Sequence, residues 1–244
     1  MADGIIIKKS DDLLEITLDC PDRGNGMGDD QIVHLGDVLE AEHDKVRLIL
    51  LRANGADFCT GRSPVGRLPI AGPEALALRD AHDIVFRCYG AVRKSKAPVI
   101  SVVKGRAFGF GCALACVADI TLAAESAQFA ITEFSHNIMP TMVMSSLVDR
   151  IGLKPLMYLV WTSKVIDARH AQMIGAVSDV FADDKLDEGA QALINRLMKA
   201  PRPAVFAVKD YAHGANPSDT EKAVAFGRNL HAVINTAPEM RKKP

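Results

Sequence analysis

The chain has no long hydrophobic run. None of its apolar stretches reaches the roughly 18–20 residues that a membrane-spanning helix needs, so no membrane span is expected. It also lacks an excess of charge. Its 29 Lys and Arg almost balance 30 Asp and Glu, for a net charge of −1. Phosphate neutralisation calls for clustered cations, so no nucleic acid partner is expected. The start, Met-Ala-Asp-Gly-Ile-Ile-Ile-Lys-Lys, has no signal-peptide hydrophobic segment. Cysteine is sparse, with five residues at 20, 59, 88, 112 and 116, unevenly spaced and mostly in apolar runs. They read as reduced packing residues of a cytoplasmic protein. Cys112 and Cys116 would share one helix face, but no His or acid pair accompanies them, and no metal site is expected. The glycine-rich loop Pro21-Asp-Arg-Gly-Asn-Gly-Met-Gly28 lacks the Gly-Lys-Ser/Thr ending of a phosphate-binding P-loop. Repeats of fixed period and low-complexity segments are absent too.

What remains is a 244-residue chain, 48% hydrophobic, able to bury a substantial core in one domain. Strands are expected at Ile5 to Lys8, Leu14 to Leu18, Val46 to Leu51 and Pro98 to Val103, with a short one near Val177 to Phe181. Asp29-Asp30 would cap a helix running to about His43, and another helix is expected over 73–92. Further helices are expected at 141–151, 154–162, 168–173, 185–199, 202–213 and 218–235, with glycines and prolines at their boundaries. The division expected is a core over 1–200 and a helical C-terminal segment over 201–244. That is an α/β core with a helical C-terminal third.

The stretch Lys104 to Pro140 carries the chemistry. A buried strand is followed by Gly105 and then by Gly109-Phe110-Gly111 opening an apolar helix. A strand, a glycine turn and a helix start expose backbone N–H groups at a positive dipole end, where a developing oxyanion can be held. Glu133 follows among Phe129, Ile131, Phe134, Ile138 and Met139, where desolvation raises a carboxyl towards a useful base. Each feature has a plainer reading. Gly-x-Gly at a helix start also serves tight packing, and a lone Glu also serves a salt bridge.

The order of the motifs resembles the enoyl-CoA hydratase/isomerase family, the crotonase superfamily, over roughly residues 5–210. The family pattern Gly-x-x-x-Gly-Gly-Gly-x-Glu-Leu is similar to Gly105 through Gly109-Phe110-Gly111-Cys112-Ala113-Leu114. Cys-Asp-Ile is similar to Ala118-Asp119-Ile120, and Ala-x-Phe-x-x-Pro-Glu to Ala127-Gln-Phe129 through Thr132-Glu133, with Pro140 seven residues on. Phe58-Cys-Thr-Gly61-Arg62-Ser63 resembles Phe-Ser-Ala-Gly-Ala-Asp. The resemblance implies a spiral of ββα units, usually assembled as a trimer or a dimer of trimers. It implies an acyl-CoA substrate, with no cofactor beyond the coenzyme A of that substrate. It also implies an oxyanion hole made of the Arg62 and Phe110 backbone amides. Glu133 takes the catalytic acid–base role, and Gly61, Gly109, Gly111, Pro140 and His136 line the substrate.

Three departures bear on the reaction. Ala113 stands where a first glutamate would hold water, Phe110 replaces the middle glycine, and Thr132 replaces a proline. With Glu133 as the remaining carboxylate, double-bond isomerisation through a one-carboxylate proton shuttle is the expected reaction. Hydration with a different second group, decarboxylation or C–C hydrolysis, and a non-catalytic acyl-CoA-binding role with Phe110 across the pocket are the alternatives. His136 is a candidate replacement acid, or else a polar residue at a loop edge. Arg62 and Arg67 are candidate contacts to CoA phosphates, and Arg241-Lys-Lys243 is a basic tail.

Overall fold

The computed structural model describes residues 3–64 and 74–215, and residues 221, 224, 225, 228, 229 and 232 beyond them. The chain opens with an antiparallel pair, β1 (Ile5–Ser10) and β2 (Leu13–Leu18). Helix α1 (Asp29–Glu42) leads into β3 (Leu48–Ala53), and α2 (Ala75–Lys94) into β4 (Val99–Val103). The central stretch holds β5 (Arg106–Phe108), α3 (Phe110–Cys116), β6 (Ile120–Ala124) and β7 (Gln128–Ala130). Next come α4 (Thr141–Leu147), α5 (Leu153–Thr162), β8 (Ile166–Asp167) and α6 (Ala168–Met173). The order closes on β9 (Asp179–Phe181), α7 (Leu186–Lys199) and α8 (Arg202–Ala215).

Six strands form one sheet in the order β1-β2-β3-β4-β6-β9, parallel from β2 onwards. Strand residues alternate between its faces. Ile49, Leu51, Val99 and Val103 pack in one core with Ile32, Leu35 and Leu39 of α1 and Val85, Cys88 and Val92 of α2. Leu48, Leu50, Ile100, Val102 and Leu122 face the other way, onto Leu186, Ala190 and Ile194 of α7. Burial on both faces explains why β3 and β4 read as unbroken apolar runs. The second sheet, β5-β7-β8, is small and stands beside the glycine turn before α3.

Several boundaries differ from the sequence expectation. The strand expected at 46–51 lies at Leu48–Ala53, because pairing with β2 starts at Leu13 opposite Leu48. The helix expected over 141–151 stops at Leu147, whose carbonyl accepts both Arg150 N–H and Ile151 N–H and so closes the turn. Asp29 does not cap α1. Gly28 takes that place, its N–H donating to Gln31 Oε1 at 2.9 Å, and Asp29 is buried in the first turn. The expected helix over 218–235 and the basic tail lie wholly or largely outside the described residues, as does Arg67. All five cysteines are free, and burial pushes the Cys59 and Cys88 thiols up to about 12, so both stay protonated packing groups. No described helix is long and apolar enough to cross a membrane.

Helix α8 is tied to the core through one buried cation. Lys209 Nζ lies 2.7 Å from Asp119 Oδ2 and donates to Val92 O at 3.1 Å, at the end of α2. The same Asp119 oxygen accepts Val99 N–H at 2.8 Å, so α8, α2, β4 and the end of α3 meet at one carboxylate. Removing one member of a buried pair strands the other. Lys209→Ala is expected to cost about 3 kcal/mol, the low end for such pairs because Val99 N–H still serves Asp119. A urea titration checks it: the midpoint should fall at an unchanged slope.

Candidate active site

The loop from Cys20 to Gly28 and the loop from Asn54 to Ser63 are held together by main-chain contacts and one buried amide. Asn25 Nδ2 donates to Asn54 O at 2.8 Å and Asp57 O at 2.7 Å, and Thr60 N–H donates to Gly24 O at 2.9 Å. Met27 and Arg62 form a parallel bridge: Met27 N–H donates to Gly61 O at 3.0 Å, and Ser63 N–H to Met27 O at 2.7 Å. In such a bridge the middle residue's own N–H points away from its partner. The Arg62 amide is therefore left free, with no hydrogen bond among the described residues. Its side chain is pinned as well, since Arg62 Nε lies 2.7 Å from Asp29 Oδ1 with both groups largely buried. Gly61 sits at φ +124°, a region that side-chain-bearing residues rarely enter.

This free amide is brought to the glycine turn by a second bridge. Cys59 N–H donates to Arg106 O and Phe108 N–H to Cys59 O, both at 3.0 Å. A Cβ on Gly111 would stand 2.0 Å from Cys59 O, so only glycine lets the two backbones approach. Phe110 is the first residue of α3, where an N–H has no intrahelical acceptor. Its ring is buried and stacks on Tyr89, with centroids 5.4 Å apart and planes inclined by 26°. The benzyl group thus turns into the core rather than standing free at the turn.

The carboxyl of Glu133 completes the constellation. A Cβ on Gly109, at φ +51°, would lie 2.7 Å from Glu133 Oε1, so the carboxyl rests directly against the turn that carries the Phe110 amide. Glu133 is half-buried as a residue, but its Oε2 is enclosed and has no hydrogen-bond partner. Burial raises its pKa, against the smaller lowering effects of backbone N–H groups and nearby His136. His136 itself is exposed, its Nδ1 donating to Thr132 O at 2.8 Å, which leaves it at the rim of the site. Pro140 is buried at the start of α4. Ala113 is wholly buried and brings no polar atom. Among the described residues no cluster of three His, Cys, Asp or Glu is arranged to hold a metal.

The residues themselves pointed to Gly109, Phe110, Gly111 and Glu133, and the resemblance to Gly61 and Arg62; the fold sets Glu133 against Gly109, Cys59 against Gly111, and Gly61 close to Phe108 O. Neither pointed to Asp29, which reads as a helix cap, or to Tyr89, which reads as core spacing. Free N–H groups can polarise a carbonyl, and a carboxyl with raised proton affinity can take a proton from the carbon next to it.

The enoyl-CoA hydratase/isomerase family model matches residues 8–242. A protein named probable enoyl-CoA hydratase from Mycobacterium leprae is 30% identical over 228 residues, 91% of this chain and 86% of its own. The 1,2-epoxyphenylacetyl-CoA isomerase of Escherichia coli is 25% identical over 240 residues, 94% of this chain and 89% of its own. Among solved structures, an enoyl-CoA hydratase/isomerase from Xanthobacter autotrophicus superposes with a TM-score of 0.89 at 21% identity, covering 98% of this chain and 91% of that one. A Thermobifida fusca structure described as a putative enoyl-CoA hydratase in complex with CoA superposes at 0.81 with 24% identity, over 94% and 93% of the two chains.

Burial of Glu133 has a consequence measurable without substrate. Its folded pKa lies above the ordinary 4.5, so its contribution to stability is intact below that pH and is lost as pH rises through the folded value. Glu133→Gln removes that loss. Thermal melts from about pH 4 to about pH 9 should show the variant gaining on the parent as pH rises and then levelling. A melting difference that stays flat would place the carboxyl in water.

Proposed function

The chain belongs to the enoyl-CoA hydratase/isomerase family and is an acyl-CoA enzyme of that type; from this we propose that its reaction is a 1,3-proton shift on an unsaturated acyl-CoA. In this reading the thioester oxygen accepts hydrogen bonds from Arg62 N–H and Phe110 N–H. Glu133 takes a proton from the α-carbon. The electrons of that C–H bond form the new α,β double bond, and those of the old β,γ double bond take the proton back from Glu133 at the γ-carbon. The product is an isomer, and no atom is gained or lost. A carboxyl that holds its proton more firmly than usual suits the interval between removal and return. The cycle calls for no cofactor beyond the coenzyme A of the substrate.

The buried methyl of Ala113 carries this reading, because it leaves Glu133 as the carboxylate of the motif. Holding and activating a water calls for a second group, and a methyl cannot supply it. Hydration is the second reading, favoured by the names of several relatives. Solvent-deuterium exchange at the α-carbon, measured beside water addition over a panel of enoyl-CoA thioesters, separates the two. Under the first reading Glu133→Gln should lose about 100- to 10,000-fold in exchange and turnover while thioester affinity stays within a small factor. Full activity in that variant would remove Glu133 from the chemistry.

The same reading extends to assembly. Helix α5 presents Leu153, Tyr158 and Trp161 to solvent, with Val165 just beyond it and Phe134 in the turn 134–136 that packs against it. Trp161 is 63% exposed and Leu153 66%, a large apolar area for a lone chain. We infer that this face is covered in a homotrimer or a dimer of trimers. Sedimentation at micromolar concentration should give three or six copies, and Trp161→Glu should shift the population towards smaller species. A parent chain that sediments as a monomer would refute the assignment.

A further inference from the structure

Apart from guanidinium nitrogens, three buried side-chain polar atoms among the described residues lack a hydrogen-bond partner: Glu133 Oε2, Thr141 Oγ1 and Ser163 Oγ. Ser163 ends α5 in a left-handed turn, on the far side of that helix from its start. Thr141 is different. It is 6% exposed, opens α4, and follows Glu133 by eight residues.

The chain between them folds back on itself. His136 N–H and Ile138 N–H both donate to Glu133 O at 3.0 Å, which closes a turn over 133–138 just before Pro140 and Thr141. Helix α4 then packs against α3, which begins at Phe110, and against α2, which carries Tyr89. Other hydroxyls of α4 are satisfied within the helix: Ser145 Oγ donates to Met142 O and Ser146 Oγ to Val143 O, both at 2.7 Å. Thr141 makes no such bond. A buried hydroxyl without a partner destabilises a fold, and valine would fill the same volume without that penalty.

We propose that Thr141 is a specificity-determining residue of the Glu133 site, its hydroxyl hydrogen-bonding an oxygen carried by the acyl chain. This rests on the reading of the site as an acyl-CoA site. The substrate class is then an acyl-CoA thioester whose chain bears a hydroxyl or other oxygen function near the reacting carbons. Thr141 would supply a side-chain hydroxyl to a site where Ala113 supplies none.

Thr141→Val and Thr141→Ser in the full chain test this. The free Val variant should melt higher than the parent, because the unpaired hydroxyl is gone. Calorimetric titration with 3-hydroxybutyryl-CoA should show about tenfold weaker binding by Val and near-parental binding by Ser, with crotonyl-CoA unaffected. Equal weakening for both thioesters would show no discrimination for an acyl-chain oxygen and would overturn the proposal. Unchanged affinity for both thioesters in the Val variant overturns the proposal, whatever its melting temperature. Failure of the reaction reading looks different: a parent that binds thioesters yet exchanges no α-proton removes the proton shuttle and leaves the Thr141 measurement standing.

Discussion

The close approach of Cys59 O to Gly111 sets the geometry of everything around it. With a Cβ position 2.0 Å from that carbonyl, the two chain segments are in backbone contact with no side chain between them. The consequence is positional. Cys59 pairs beside β5, Gly61 lies close to Phe108 O, and β5 leads through Gly109 into the start of α3. Neither Arg62 N–H nor Phe110 N–H carries a protein hydrogen bond among the described residues, because one is the middle of a parallel bridge and the other the first residue of a helix. Free donors in a folded protein are rare, and here both follow from topology rather than from strain.

The carboxyl depends on the same approach. Gly109 has to be glycine twice over, for its positive φ and for the 2.7 Å its Cβ would leave to Glu133 Oε1. That contact holds the carboxyl in a dry position, and dryness is what raises its proton affinity. The ion pair of Arg62 with Asp29 neutralises a buried guanidinium at 2.7 Å and fixes the side chain of the residue whose amide is left free.

How much of this could be read from the sequence follows from the length of each signal. Strand β4 and the glycine turn were legible because a buried parallel strand writes a continuous apolar run and a positive φ writes glycine. Strands β5 and β7 have three residues each, too short for any period to register, although β5 is what aligns Cys59 with the turn. Arg62 was legible only through the resemblance and its neighbour Gly61. Its amide matters, and an amide has no letter of its own. Asp29 and Thr141 were hidden for a related reason. An acidic residue at a helix start and a threonine after a proline have common local explanations, and only the fold shows one paired and the other unpaired.

Phe110 is where the sequence pattern and the fold pull apart most, and the fold accounts for it. Three consecutive positions bear on the turn, but the steric demand is unequal. Gly109 needs left-handed backbone and Gly111 needs room against Cys59 O, whereas residue 110 already lies in α3 with ordinary helical geometry. A side chain at 110 therefore needs only a place to go, and the face of Tyr89 supplies one. A phenylalanine there also restricts the unfolded chain more than glycine does, which favours the helix start on which the Phe110 amide depends. The N–H is a backbone group of the first helical residue, which phenylalanine supplies as glycine does. The substitution changes the wall behind the donor, not the donor itself.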